Sequence, residues 1–190
     1  KVIKNNIEQK LKLALKQMNF LINILVCIPY VKRFNLKNLI LENEKQLLSQ
    51  IDFMNEVKNI QRMYNNCKNT DYIEIPYVYD EYTNNNNNII VMDYIDGEKL
   101  ESVIDLDKDN YSLLVAKFGI KCLLFNRFYH GDLHSGNILF IKDNENNYKL
   151  GILDFGVCGE ITKCEQNEFF NLFVLIGKTE DYLDVAEFIV

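Results

Sequence analysis

Histidine, paired cysteine, basic charge and long apolar runs are all scarce in this chain, and each shortage removes a class of function. His130 and His134 are its two histidines, which excludes a histidine-rich metal site. The five cysteines, Cys27, Cys67, Cys122, Cys158 and Cys164, are odd in number, scattered, and form no Cys-x-x-Cys pair. Neither a disulfide framework nor a zinc site is expected, and a reducing compartment fits the pattern. A formal net charge of -6, from 21 basic and 27 acidic residues, leaves no cationic footprint for nucleic acid. The longest apolar run, Phe20 to Val31, is broken by Asn23 and Pro29. It falls short of the roughly 20 residues a membrane span needs and reads instead as a buried helix. Lys1-Val2-Ile3-Lys4 offers neither an initiator Met nor a signal peptide, so the expectation is a chain that starts inside a longer protein.

What is present suits one ordinary domain, or one large domain cut short: 190 residues, 48% hydrophobic and 12% aromatic. Ile7, Leu11, Leu15, Met18, Ile22 and Leu25 recur at helical spacing, predicting a helix from Ile7 to Ile28 that Pro29 ends. A second helical pattern runs from about Leu36 to Tyr64, with Asn65-Asn66 as its stop. Lys1 to Ile3 reads as the tail of a strand. Tyr77 to Tyr82 and Ile89 to Tyr94 are β-branched and aromatic, and read as a hairpin around the asparagine run at 84–88. That run reads as a surface insertion, since lengthening a polar loop costs little entropy. After a break at Asp96-Gly97, a helix is predicted from about Tyr111 to Phe128. Two strands, Leu139 to Lys142 and Tyr148 to Leu153, flank a turn at Asp143 to Asn147. A final helical region runs from about Lys163 to Val190.

The chemistry sits between these elements. Phosphoryl transfer needs a carboxylate to orient the attacking hydroxyl, oxygen ligands for Mg2+ and a cation on the nucleotide phosphates. In His130-Gly131-Asp132-Leu133-His134-Ser135-Gly136-Asn137, the spacing Asp132-x-x-x-x-Asn137 supplies the carboxylate and a carbonyl oxygen from one loop. Asp154, in Asp154-Phe155-Gly156, ends the second predicted strand and adds a second hard oxygen ligand. Phe155 is expected to pack below it, and Gly156 to free the backbone. Alone, an Asp-Phe-Gly triplet is equally a strand-ending turn; following the His-Gly-Asp loop and a hairpin, it points to Mg-ATP chemistry. His130 and His134 are expected to brace the loop, and Gly131 and Gly136 to allow tight backbone paths. Asp52 and Glu56, four apart, share a helix face. They read either as an exposed acidic face or as partners for a phosphate-binding lysine, for which Lys1 is the candidate. A terminal lysine alone reads as a solvated charge.

Taken together, these segments resemble the UbiB/ADCK family of atypical kinases over nearly the whole chain. The likeness rests on Lys1-Val2-Ile3, on Gln50-Ile51-Asp52-Phe53 with Glu56-Val57 and Asn59, and on Ile75 to Glu81. It continues through Val91-Met92-Asp93-Tyr94-Ile95-Asp96-Gly97-Glu98-Lys99-Leu100, the block from His130 to Leu139, and Leu153 to Gly156. The resemblance implies an α+β, bilobal protein-kinase-like fold truncated at both ends. Its parts would be a smaller lobe at 1–92 with a helical insertion, a hinge at 93–97 and a partial, mainly helical lobe at 98–190. It implies Lys1 as the phosphate-binding lysine, Glu56 as its partner, Asn137 and Asp154 as Mg2+ ligands, Asp132 as the catalytic carboxylate, and the backbone at Asp93 and Tyr94 against the adenine. ATP and Mg2+ are the implied cofactors. A lipid or membrane surface is the implied partner, at a mitochondrial or plastid membrane, in work supporting ubiquinone or another isoprenoid lipid. Two departures stand out: Gln50 replaces the family's first acidic residue, and Gly131 and Ser135 replace its usual Ala and Pro. The family's nucleotide loop and Lys-x-Gly-Gln segment would precede Lys1. Two other readings compete: a small-molecule kinase of the aminoglycoside or choline type, which the long Lys1-to-Glu56 insertion disfavours, and a pseudokinase scaffold, which the intact Asp132, Asn137 and Asp154 disfavour.

Overall fold

The computed structural model describes residues 1–2, 6–26, 44, 47, 53–83 and 89–178. Gln50, Asp52, the asparagine run at 84–88, the start of the second predicted helix and the tail at 179–190 lie outside the described residues. The chain divides into two compact units. The first gathers residues 1–61, 77–93 and 154–157, and the second residues 62–76, 94–153 and 158–190.

In the first unit, α1 (Ile7–Leu25) buries Leu15 and Ile22, two turns apart on one face. Helix α2 (Phe53–Cys67) starts in this unit and buries Phe53, Glu56, Val57 and Ile60, an i, i+3, i+4, i+7 stripe. Glu56 stands in its first turn, where a negative charge suits the helix dipole. Val2 bridges Ile89 in antiparallel fashion, and the Ile90 amide donates to the Lys1 carbonyl at 2.9 Å. The expected hairpin at Tyr77–Tyr94 is reduced to a single bridge, Val78 to Met92. Residues Asp80–Thr83 turn into a short helix, α3, instead of extending the strand. Its entry is fixed by the Tyr79 amide donating to the Val91 carbonyl and the Thr83 amide to the Tyr79 carbonyl.

The second unit is built on a three-stranded sheet of order β1–β4–β3. Strands β3 (Ile138–Lys142) and β4 (Tyr148–Ile152) pair antiparallel from Ile138 with Ile152 to Lys142 with Tyr148, within one residue of the predicted ends. The turn between them closes on the Asp143 carboxylate, which accepts from the Glu145 and Asn147 amides and from Asn147 Nδ2, while Asn146 takes a left-handed φ of 63°. Strand β1 (Ile73–Glu74) adds in parallel to β4. Leu150, Ile152, Phe140 and Ile138 are buried against Tyr111 and Phe118 of α4 (Asp105–Ile120), the core of this unit. Helix α4 begins six residues before its predicted start and passes into a π-helical turn, Lys121–Asn126, which Arg127 ends at φ 51°. Helix α5 covers Lys163–Lys178.

Strands β2 (Phe128–His130) and β5 (Cys158–Glu160) form a separate antiparallel pair. Phe128 and Glu160 face each other across it, and Arg62 of α2 engages both, ion-paired to Glu160 and stacked over the Phe128 ring at 4.2 Å. The Asp107 carboxylate ties α4 to the hairpin by accepting from Lys142 Nζ at 2.9 and 3.0 Å and from the Tyr148 hydroxyl at 2.7 Å. Those hydrogen bonds hold its carboxyl below the ordinary value of 3.8. A lowered folded-state value means stability present above the ordinary range and lost as pH falls through it. Asp107→Asn is therefore expected to lower the melting temperature at neutral pH, with the gap to wild type closing as pH drops below about 4. Melting curves across that range check it.

Candidate functional site

The first unit brings three of the expected residues into contact. Lys1 Nζ lies 2.7 and 3.0 Å from the two carboxylate oxygens of Glu56 and 3.1 Å from Asp154 Oδ2. The Lys1 ammonium also stands 5.6 Å from the centre of the Phe53 ring. Glu56 is 1% exposed, whereas the Asp154 side chain is half-exposed. One lysine thus answers a buried carboxylate with one edge and meets an open carboxylate with the other.

Local backbone geometry aims Asp154. Its φ is 55°, in the left-handed region that aspartate tolerates better than most residues. The backbone bends at Gly156, as expected; no glycine among the described residues has positive φ, and the left-handed position here is Asp154, two residues earlier. Asp154 Oδ1 accepts from the Gly156 amide at 3.3 Å. Phe155 is fully buried, as expected, and its carbonyl accepts from Asn59 Nδ2 at 2.9 Å. Asn59, which entered the sequence reading only among the residues carrying the family likeness, lies three residues after Glu56 on the same helix face.

The second unit holds the His130–Asn137 loop. His130 is buried, with Nε2 3.1 Å from the Leu153 carbonyl and Nδ1 accepting from the Asp132 amide at 3.2 Å. This places the ring proton on Nε2. His134 Nδ1 accepts from the Gly136 amide at 3.0 Å, and its Nε2 lies 3.8 Å from Asp132 Oδ2. Both histidines brace the loop. At Gly136, a Cβ would sit 2.8 Å from the His134 ring, so this glycine is required by close approach. Asn137 Nδ2 donates to the Asp132 carbonyl at 2.9 Å, and the Leu153 amide donates to the Asn137 carbonyl at 2.8 Å.

At the expected adenine-facing segment, Asp93 accepts from the Tyr79 hydroxyl at 2.7 Å and the Tyr77 amide at 3.3 Å, and its own amide donates to the Tyr77 carbonyl. The side chain of Tyr94 is 88% exposed.

A family profile described as the ABC1 atypical kinase-like domain matches residues 1–188. The chain belongs to this family. The UbiB/ADCK resemblance read from the motifs is upheld by its relatives. It is 29% identical over 197 aligned positions to "Probable protein kinase UbiB" of Haemophilus ducreyi, covering 98% of this chain and 35% of that protein. To "AarF domain-containing kinase 1" of Drosophila melanogaster it is 26% identical over 177 positions, 89% of this chain and 33% of that one. The chain thus spans about a third of the length of these relatives. Among solved structures, the Rv3197–erythromycin complex from Mycobacterium tuberculosis superposes with a TM-score of 0.65 at 15% identity, over 94% of this chain and 46% of that one. The fold is the mixed helix-and-sheet, kinase-like fold of this family.

Protonation of the Lys1–Glu56 pair has a readable sign. Burial pulls the Lys1 ammonium down, but Glu56 and Asp154 outweigh it and the net movement is up from 10.5. Burial pushes the Glu56 carboxyl above its ordinary 4.5, and Lys1 offsets only part of that rise. A raised folded-state value means stability present at low pH and lost as pH rises through it. Lys1→Met removes the offset, so the variant's stability should fall more steeply than wild type between about pH 5 and pH 8. At neutral pH the loss should be on the order of 1–3 kcal/mol, the cost of leaving a buried polar group without its partner. Denaturant titrations at several pH values measure it; parallel pH profiles would contradict the pairing.

Proposed function

We propose that this chain carries the phosphate-handling site of a Mg-ATP-dependent phosphotransferase or ATPase. The contact of Lys1 with both Glu56 and Asp154 supports the reading most. A lysine fixed by a buried carboxylate is an oriented cation for nucleotide phosphates, and a half-exposed aspartate beside it is a metal ligand held where that cation works. In this reading Glu56 positions Lys1, and Lys1 grips phosphate. Asp154 and the side-chain oxygen of Asn137 would hold Mg2+; both are hard oxygen donors, and the Asn137 nitrogen is already committed to the Asp132 carbonyl. When bound, Mg2+ neutralises phosphate charge and orients the transferred group. Asp132 orients the acceptor hydroxyl or water, its backbone held by His130 and Asn137. Because the Asp93 amide already donates to Tyr77, adenine contact falls to the Asp93 carbonyl and the Tyr94 backbone.

The family resemblance supports placing this activity in ubiquinone or other isoprenoid-lipid metabolism, with a lipid or membrane surface as partner. No described helix is long and apolar enough to cross a membrane, so lipid contact in this reading would be made at a surface by the described part of the chain.

The test uses the full-length protein. Mg-ADP at about 100 times its Kd should stabilise it by about 2.7 kcal/mol in a thermal melt. Asp154→Asn should lose the Mg-dependent part of that binding. Asp132→Asn should keep the binding but slow ATP turnover by about 100-fold or more. No nucleotide-induced shift, or turnover indifferent to Asp132→Asn, would overturn the reading.

A further inference from the structure

The turn that presents Asn137 is held from inside the loop by the contacts already described, and from outside by one residue that none of them involves. Lys99 Nζ donates to the Gly136 carbonyl at 2.8 Å. Lys99 is not carried there by a free-swinging loop. Its neighbour Glu98 is bridged to Phe140 of β3 by two backbone hydrogen bonds, Glu98 amide to Phe140 carbonyl at 2.9 Å and Phe140 amide to Glu98 carbonyl at 2.8 Å. On the other side, the 3-10 turn Leu100–Ser102 follows at once, with the Ser102 amide donating to the Lys99 carbonyl. The backbone of Lys99 is therefore fixed to the same strand, β3, that leaves the loop at Ile138.

Gly136 is consequently gripped at both polar atoms. Its amide goes to His134 Nδ1 at 3.0 Å and its carbonyl to Lys99 Nζ. The peptide joining Gly136 to Asn137 carries that carbonyl, and its amide, that of Asn137, donates to the His134 carbonyl at 2.9 Å, so the ammonium and the His134 carbonyl together set the plane of the peptide from which Asn137 projects. Without Lys99, the carbonyl side of that peptide would lose its tether and keep only the bond on its amide side. A charged donor to a carbonyl is a strong hydrogen bond even near the surface. Lys99 forms no salt bridge with a carboxylate among the described residues, so the ammonium is not drawn away from this role.

We propose that Lys99 is a positioning residue of the Asp132–Asn137 loop, acting through the Gly136 carbonyl to hold Asn137 and the His134 ring in register with Asp132. The inference deepens the phosphotransfer reading and rests on it for its effect on turnover, but the tether itself is a property of the loop and can be read without turnover.

The experiment compares wild type, Lys99→Met and Lys99→Arg in the full-length protein by steady-state ATP turnover, thermal melting and 15N NMR of the histidine rings. Lys99→Met keeps the aliphatic stem, so its melting temperature should stay within about two degrees of wild type, as for an exposed surface substitution. Its kcat should drop by about five- to tenfold with KM for Mg-ATP changed less than about twofold, the pattern of a lost supporting contact. The His134 Nδ1 resonance should move or broaden as its Gly136 partner is released, while that of His130, held by Leu153 and Asp132, stays put. Lys99→Arg, which can still donate to the carbonyl, should recover most of both signals. An unchanged His134 resonance in Lys99→Met overturns the tether. A moved resonance with unchanged kcat overturns the positioning role. Absence of turnover in the wild type would overturn the phosphotransfer reading and not the tether, which the ring resonance decides separately.

Discussion

A carboxylate with almost no exposure must find a positive partner or give up its charge, and Glu56 finds Lys1. Most of the first unit's described structure can be traced to that requirement. The apolar stripe of α2 buries Phe53, Val57 and Ile60, and the same stripe carries Glu56 inward, because positions 53, 56, 57 and 60 share one face. The cost of burying the acid is partly offset by an ammonium at 2.7 Å, anchored through the Lys1 backbone beside Ile90. Asp154 then borrows the outer side of the same ammonium, at the expense of a left-handed backbone. The site is thus a shared cation between a buried acid that fixes it and an open acid that shares its work.

The second unit solves a different problem, that of bracing a polar loop through its own side chains. Its two histidines spend their ring nitrogens on backbone groups, and Asn137 spends its amide nitrogen on the Asp132 carbonyl. Each bond removes a degree of freedom from the loop. Residues that look catalytic in isolation, the histidines above all, act here as braces, as expected once the carboxylate role is given to Asp132. Leu153, the residue after β4, has its amide and carbonyl both taken by the loop.

The sequence was most legible where local chemistry and tertiary structure agreed. Ile138–Lys142 and Tyr148–Ile152 are apolar strands around a turn that the Asp143 and Asn147 side chains stabilise, and both ends fell within a residue of expectation. The Lys1–Glu56–Asp154 contact was legible only through the family resemblance, because 55 residues of sequence separate its first two members and no spacing rule spans that gap. Other elements were hidden for physical reasons. Asp105–Asn110 is polar apart from the exposed Leu106, so apolar periodicity starts only at Tyr111 although the helix does not. Strands β2 and β5 are three residues each, too short to alternate, and their pairing depends on Arg62 from a distant helix. Tyr77–Tyr82 carries strand-like residues, yet backbone bonds to Tyr79 wind Asp80–Thr83 into a helical turn. The bend falls at Gly156 as expected, whereas the left-handed residue ahead of it, Asp154, carried no sequence signal.

The central claim is that Lys1 and Glu56 act as one phosphate-binding device. A double-mutant cycle on nucleotide affinity tests it most directly, with Mg-ADP titrated calorimetrically into wild type, Lys1→Met, Glu56→Gln and the double variant of the full-length protein. If Glu56 works by positioning Lys1, the double variant binds no more weakly than Lys1→Met alone, and the coupling appears as strong non-additivity. Losses that simply add would contradict the account, because they would mean that each residue meets the nucleotide on its own.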